Sequence, residues 1–98
     1  MTNPSPRDHV ARAIAYFEGC TDADLLRTVL RQIQPKAAAA ARKFSNREPP
    51  NPAAIPPAEV PASKDEALKT AQTVKDFAHM QAIARAVGRR VEELRSMN

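Results

Sequence analysis

Six of the nine prolines in this 98-residue chain fall between residues 47 and 62, in the stretch "REPPNPAAIPPAEVPA". Proline has no N–H to donate and holds φ near one value, so neither a helix interior nor a central strand can run through such a segment. The chain is thereby cut into two arms, and each arm must be read from its own punctuation. Ile55 and Val60 are the only large apolar residues in the divider. It reads as an extended, semi-rigid linker, able to span on the order of 50 Å if polyproline-like throughout.

The arm before the linker carries two helix starts. "SPRD" at 5–8 offers Ser5 as N-cap, Pro6 at the first helical position and Asp8 reaching back, a capping box with Asp in place of Glu. Val10, Ala13, Ile14 and Phe17 follow on one stripe and Gly19 supplies a stop, which predicts a helix over 6–18. "TDAD" at 21–24 repeats the device, with Thr21 as cap and Asp24 at the third position. Leu25, Leu26, Val29, Leu30 and Ile33 then recur at helical spacing over 22–34. Pro35 predicts a kink or a fresh start, and the alanine-rich run 36–45 has the best helix propensity in the chain, giving a third short helix.

Beyond the linker, "SKDE" at 63–66 is a full capping box, Ser63 with Glu66. No proline follows, and Gly88 is the only weak point, so the spacing predicts one helix over 64–96, about 50 Å long. Its apolar residues Val74, Phe77, Met80, Ile83, Val87, Val91 and Leu94 step by three and four, cleanly from Met80 onward but drifting round the helix before it. Arg85, Arg89, Glu92 and Glu93 take the opposite face, with Arg89 and Glu93 at i, i+4. The sequence therefore predicts an all-α protein: a small three-helix unit over 1–46, a proline-rich linker over 47–62, and a long amphipathic helix over 63–98.

Leu, Ile, Val and Phe number 18, a share at which a self-sufficient core becomes doubtful and a large buried active site is not expected. An isolated amphipathic helix would leave its row open to water, and the prolines favour holding the two arms apart. The expectation is a protein partner or a second copy, covering Met80, Ile83, Val87, Val91 and Leu94.

Charge is uneven. Residues 1–47 hold eight Lys/Arg against four Asp/Glu, whereas 48–98 hold seven of each, so by halves all of the net +4 lies in the first half of the chain. An acidic surface or a polyanion is attracted there first. The stretch 16–44, "YFEGCTDADLLRTVLRQIQPKAAAAARKF", resembles a helix-turn-helix DNA reader: a glycine turn and capping Thr precede an apolar helix, and a proline opens a basic one. Ala37 to Ala41 offer only methyl groups, so base-specific readout is not expected from that last helix. Arg27, Arg31, Lys36, Arg42, Lys43 and Arg47 are the candidate contacts to phosphates or to an acidic partner. A small DNA-associated regulator, dimerising through its C-terminal helix, is the alternative to an interaction or assembly subunit.

Catalytic constellations are missing from the sequence. His9 and His79 stand 70 residues apart without a second His or Cys at metal spacing. Glu18, Asp22 and Asp24 are explained by capping and the helix dipole. Two glycines, Gly19 and Gly88, make no phosphate loop. One cysteine, Cys20, forms no intrachain disulfide and sits at a turn. "MTNPSPRDHV" has no apolar core of the signal-peptide type, and no window approaches a membrane span. A cytoplasmic, non-enzymatic protein without metal or cofactor is expected.

Overall fold

Helix α1 runs Pro6–Gly19, and its stripe of Val10, Ala13, Ile14 and Phe17 is buried. The computed structural model describes residues 6–42 and 55–97, so Ser5, the expected cap, lies outside them. Gly19 ends the helix without entering the left-handed region: no described glycine has positive φ. The last turn closes instead through the Cys20 amide, which donates to the Phe17 carbonyl at 3.2 Å.

Helix α2, Ala23–Ala41, corrects two expectations. Its cap is Asp22, one residue past Thr21, and Asp22 Oδ1 accepts from the Leu25 amide at 3.1 Å. Nor does it break at Pro35. The separate helix over 36–45 does not form, because the helix continues to Ala41, and Lys43 onward lies outside the described residues. A proline inside a helix costs about 3 kcal/mol. Here Pro35 and Arg31 are both on the exposed face, where water can meet the carbonyl the proline leaves unbonded. On the inner face, Leu26, Val29 and Ile33 before the proline and Ala37 and Ala40 near or after it share one core, so packing holds both segments on one axis.

The long C-terminal helix, by contrast, is two. Helix α3 spans Lys64–Thr73 and α4 spans Phe77–Ser96. Ser63 caps α3 as its sequence implies, accepting from the Glu66 amide at 3.2 Å. The break has no proline or glycine to announce it. Its cause is the drift of the apolar stripe: Val74 and Ile83, nine residues apart, would face opposite sides of one straight helix of 3.6 residues per turn. Both are buried, with Ala67 and Ala71 on the α3 side and Met80, Ala86 and Val87 on the α4 side. A hinge lets both faces reach the core. Asp76 makes it stable, Oδ1 accepting from the Ala78 and His79 amides at 2.8 and 3.2 Å.

The described part of the proline segment is docked rather than free. Residues 55–62 lie along α1 as a strap: the Ala58 amide donates to the Ala11 carbonyl at 3.1 Å and the Ala62 amide to the Arg12 carbonyl at 3.0 Å. Ile55 and Ala62 are buried. The expected spacer, over this part, brings the arms together.

Every substantial helix–helix contact crosses between the N-terminal pair and the C-terminal pair: α4 packs on α2 and α1, and α3 packs on α1 and, to a lesser extent, α2. Sequence neighbours hardly touch along their lengths. Each pair is an open elbow, and the two elbows stack into a body of 41 × 40 × 20 Å whose thinnest dimension is that of two helices. Two clasps fasten the elbows to each other, one from α4 to the first hinge and one from α2 to the end of α3. Arg90 Nε donates to the Cys20 carbonyl at 2.8 Å, and Lys36 Nζ donates to the Gln72 carbonyl. No helix among the described residues is long and apolar enough to cross a membrane.

Candidate functional site

The row expected to meet a partner faces inward. Met80, Ile83 and Val87 are buried in the chain's own core, and Val91 and Leu94 are half-buried against it. Burying each such side chain is worth roughly 1.5 to 3 kcal/mol, and here α1 and α2 provide the cover. Among the described residues, only Val60 and Met97 are large, apolar and exposed. What the surface offers is charge.

The outer face of α2 concentrates it. Arg27, Arg31, Ala38 and Arg42 step by four, seven and four residues, which holds them on one side of the helix, and all four are exposed. Arg31 and Arg42 stand about 16 Å apart along the axis at 1.5 Å per residue. Neither has an ion-pair or hydrogen-bond partner among the described residues. Arg27 makes only a 3.8 Å contact with Asp24, and both side chains are well exposed. Such surface pairs contribute about 0 to 1 kcal/mol and leave the guanidinium open to a better acceptor. Lys36 is different, since its ammonium is spent on the Gln72 carbonyl. Lys43 and Arg47 lie outside the described residues.

The alanine run divides between two tasks. Ala37 and Ala40 pack on the core, while Ala38 and Ala39 face outward. Short side chains between long arginines leave a shallow, basic ridge that a facing surface can approach closely. The helix-turn-helix resemblance loses its third helix, because α2 is continuous through Pro35.

Other singled-out residues find structural places. Cys20 is buried, its thiol 3.9 Å from the Asp22 carbonyl. Beside it, burial first and then the nearby thiol raise the Tyr16 phenol above its ordinary value, with smaller contributions from Asp22 and Asp65. Glu93 pairs at 3.1 Å with Arg90, not with Arg89, because Arg90 is already held over the Cys20 carbonyl. Asp22 is a cap. Among the described residues, no three His, Cys, Asp or Glu side chains gather as a metal-binding group.

His9 and His79, which the sequence leaves 70 residues apart, line the same cleft. Lys69, Lys75 and Asp76 join them there. Sequence reading overlooked these three because the hinge at 74–76 is what turns them toward α1. The signal available was the drift of the stripe ahead of Met80, together with an aspartate at 76. Comparison with known proteins returned no match, whether to a protein-family model, a curated protein or a solved structure.

Proposed function

We propose that this is a non-enzymatic helical interaction module that presents the outer face of α2 to an acidic protein surface. The observation that carries the reading is the stripe Arg27, Arg31 and Arg42, interrupted by the exposed methyl of Ala38, in which Arg31 and Arg42 have no partner within the described residues. Arginine forks match carboxylates bidentately and are common at interface hot spots, and small residues between them permit close approach. The internal use of the α4 row supports the same assignment, since it leaves charge rather than apolar area as the means of recognition. A second copy fits this face poorly, because arginine would meet arginine. The partner is therefore a different, acidic protein.

The test is a photo-crosslinking residue at Ala38 in the full-length protein, expressed in its native cells. The expected result is one discrete protein adduct, lost in Arg31→Glu/Arg42→Glu and absent when the crosslinker is moved to Glu59 on the strap. Adduct formation insensitive to the charge reversal would refute the reading. Binding to random duplex DNA distinguishes the alternative. An affinity that depends on Arg31 and Arg42, and falls by orders of magnitude between about 50 and 200 mM salt, would assign the face to phosphates instead.

A further inference from the structure

A cleft of about 640 Å³ opens between the first turns of α1, the body of α3 and the α3–α4 hinge. Its volume lies in the range of small-molecule sites, roughly 300 to 1,000 Å³. Two carboxylates and four basic side chains line it, and the two sets differ in how far they are already engaged. Glu66 Oε2 is 3.2 Å from the Arg12 guanidinium, and Asp76 Oδ1 accepts the Ala78 and His79 amides as the cap of α4. Both threonine hydroxyls are committed as donors to their own helix, Thr70 to the Glu66 carbonyl at 2.9 Å and Thr73 to the Lys69 carbonyl at 2.8 Å. By contrast, Lys69, Lys75, His9 and His79 have no partner among the described residues. They come from α3, the hinge, α1 and α4, so they surround the cleft rather than run along one helix. Most of the cleft's accessible lining is apolar, with the edges of the buried Val10 and Val74 at its floor.

We propose that this cleft binds a small organic phosphate. The dianion is held by Lys69 and Lys75 with the imidazoles of His9 and His79, and the apolar body of the ligand rests on the apolar part of the lining, over Val10 and Val74. A phosphate matches the site better than a bare carboxylate because Lys69, Lys75, His9 and His79, from four parts of the chain, all line the cleft and a dianion can engage more than one of them at once. An organic ester matches it better than the inorganic ion because the cleft is far larger than phosphate alone and most of its lining is apolar. No residue of the α2 outer face takes part, so the site stands or falls separately from the interaction reading.

The probes are phenyl phosphate and inorganic phosphate, titrated into the full-length protein and followed by NMR at the imidazole protons of His9 and His79 and by calorimetry. Phenyl phosphate is expected to move both histidines together and to bind at least about tenfold more tightly than inorganic phosphate, since only it can also use the apolar lining. Lys69→Gln and Lys75→Gln, both at exposed positions, should each weaken it by about five- to tenfold with unchanged circular dichroism. Lys64→Gln, on α3 but outside the cleft, should change nothing. Three results would each overturn the proposal: equal affinity for the two phosphates, indifference to both lysine variants, or shifts confined to the amides of Arg27, Arg31 and Arg42.

Discussion

The two elbows turn on the same grammar with different visibility. In the N-terminal elbow, α1 and α2 are joined by Cys20, Thr21 and Asp22. In the C-terminal elbow, α3 and α4 are joined by Val74, Lys75 and Asp76. Each hinge buries its first residue, exposes its second and uses an aspartate third to cap the next helix. The first hinge is preceded by a glycine and the second by a threonine. A sharp turn here requires an apolar anchor and a cap for the orphan amides, and the glycine is dispensable. The elbows do not differ in net charge, six Lys/Arg against four Asp/Glu over 6–42 and seven against five over 64–96, so the basic ridge is a matter of how the arginines are arranged on α2.

The sharpest way to break this comparison is to ask whether either elbow stands alone. Val87, fully buried on α4, faces the N-terminal elbow as part of a shared core. Val87→Asp should cost at least about 3 to 5 kcal/mol, through lost packing and an unpaired buried charge. Near-ultraviolet dichroism of Tyr16, which reports on α1, should vanish in the same transition as the helical signal. An N-terminal elbow that keeps its tertiary signal in this variant would show two separate units.

Smaller changes sharpen the likeness of the hinges. Asp22→Ala and Asp76→Ala should each destabilise by about 1 kcal/mol in urea melts, as lost N-caps do. A much larger effect at Asp76, which serves two amides, would rank the C-terminal hinge as the weaker construction. Glycine substitution then tests the dispensability of Gly19 directly. A Cβ at Gly19 or at Gly88 would meet nothing within 4 Å, and neither residue has positive φ. Gly19→Ala and Gly88→Ala should each stabilise by about 0.4 to 1 kcal/mol, with the larger gain at Gly88 in the interior of α4.

The smallest effect concerns pH. Tyr16 is the one tyrosine, and there is no tryptophan, so phenolate absorbance reports on it alone. The fold raises its pKa above the ordinary 10.0, chiefly by burial, which favours the neutral phenol. This contribution is complete below the unfolded value and is lost as pH rises through the folded one, so stability should decline on the alkaline side. Spectrophotometric titration should show ionisation later in the native protein than in urea. Coincident curves would contradict the partly buried setting.

Helix identity was legible because it rests on local physics. The stripes of α1 and α2, the Ser63 cap and the all-α class follow from spacing and from amides that need acceptors. Pro35 shows the limit of such rules. Its local cost is fixed by chemistry, but whether a helix ends there depends on whether both sides of the proline have a core to face, and Leu26, Ile33 and Ala40 all do. The C-terminal arm shows the converse. No breaker divides it, yet it bends, because Val74 and Ile83 can be buried together only off a single axis.

The candidate sites divide along the same line. The basic ridge was readable only in part: Arg27 and Arg31 share a helix face by spacing, but Arg42 joins them only because α2 continues through Pro35. The cleft was not: His9 and His79 are brought to it only by the stacking of one elbow on the other. By itself the sequence determined where backbone amides are capped, which faces are apolar and where positive charge collects, all of which act within a few residues. The tertiary structure alone decided what covers each apolar face and which distant side chains share a cleft. Those outcomes depend on burial summed over the whole chain, and the strap at 55–62 joins the arms that its prolines were expected to hold apart.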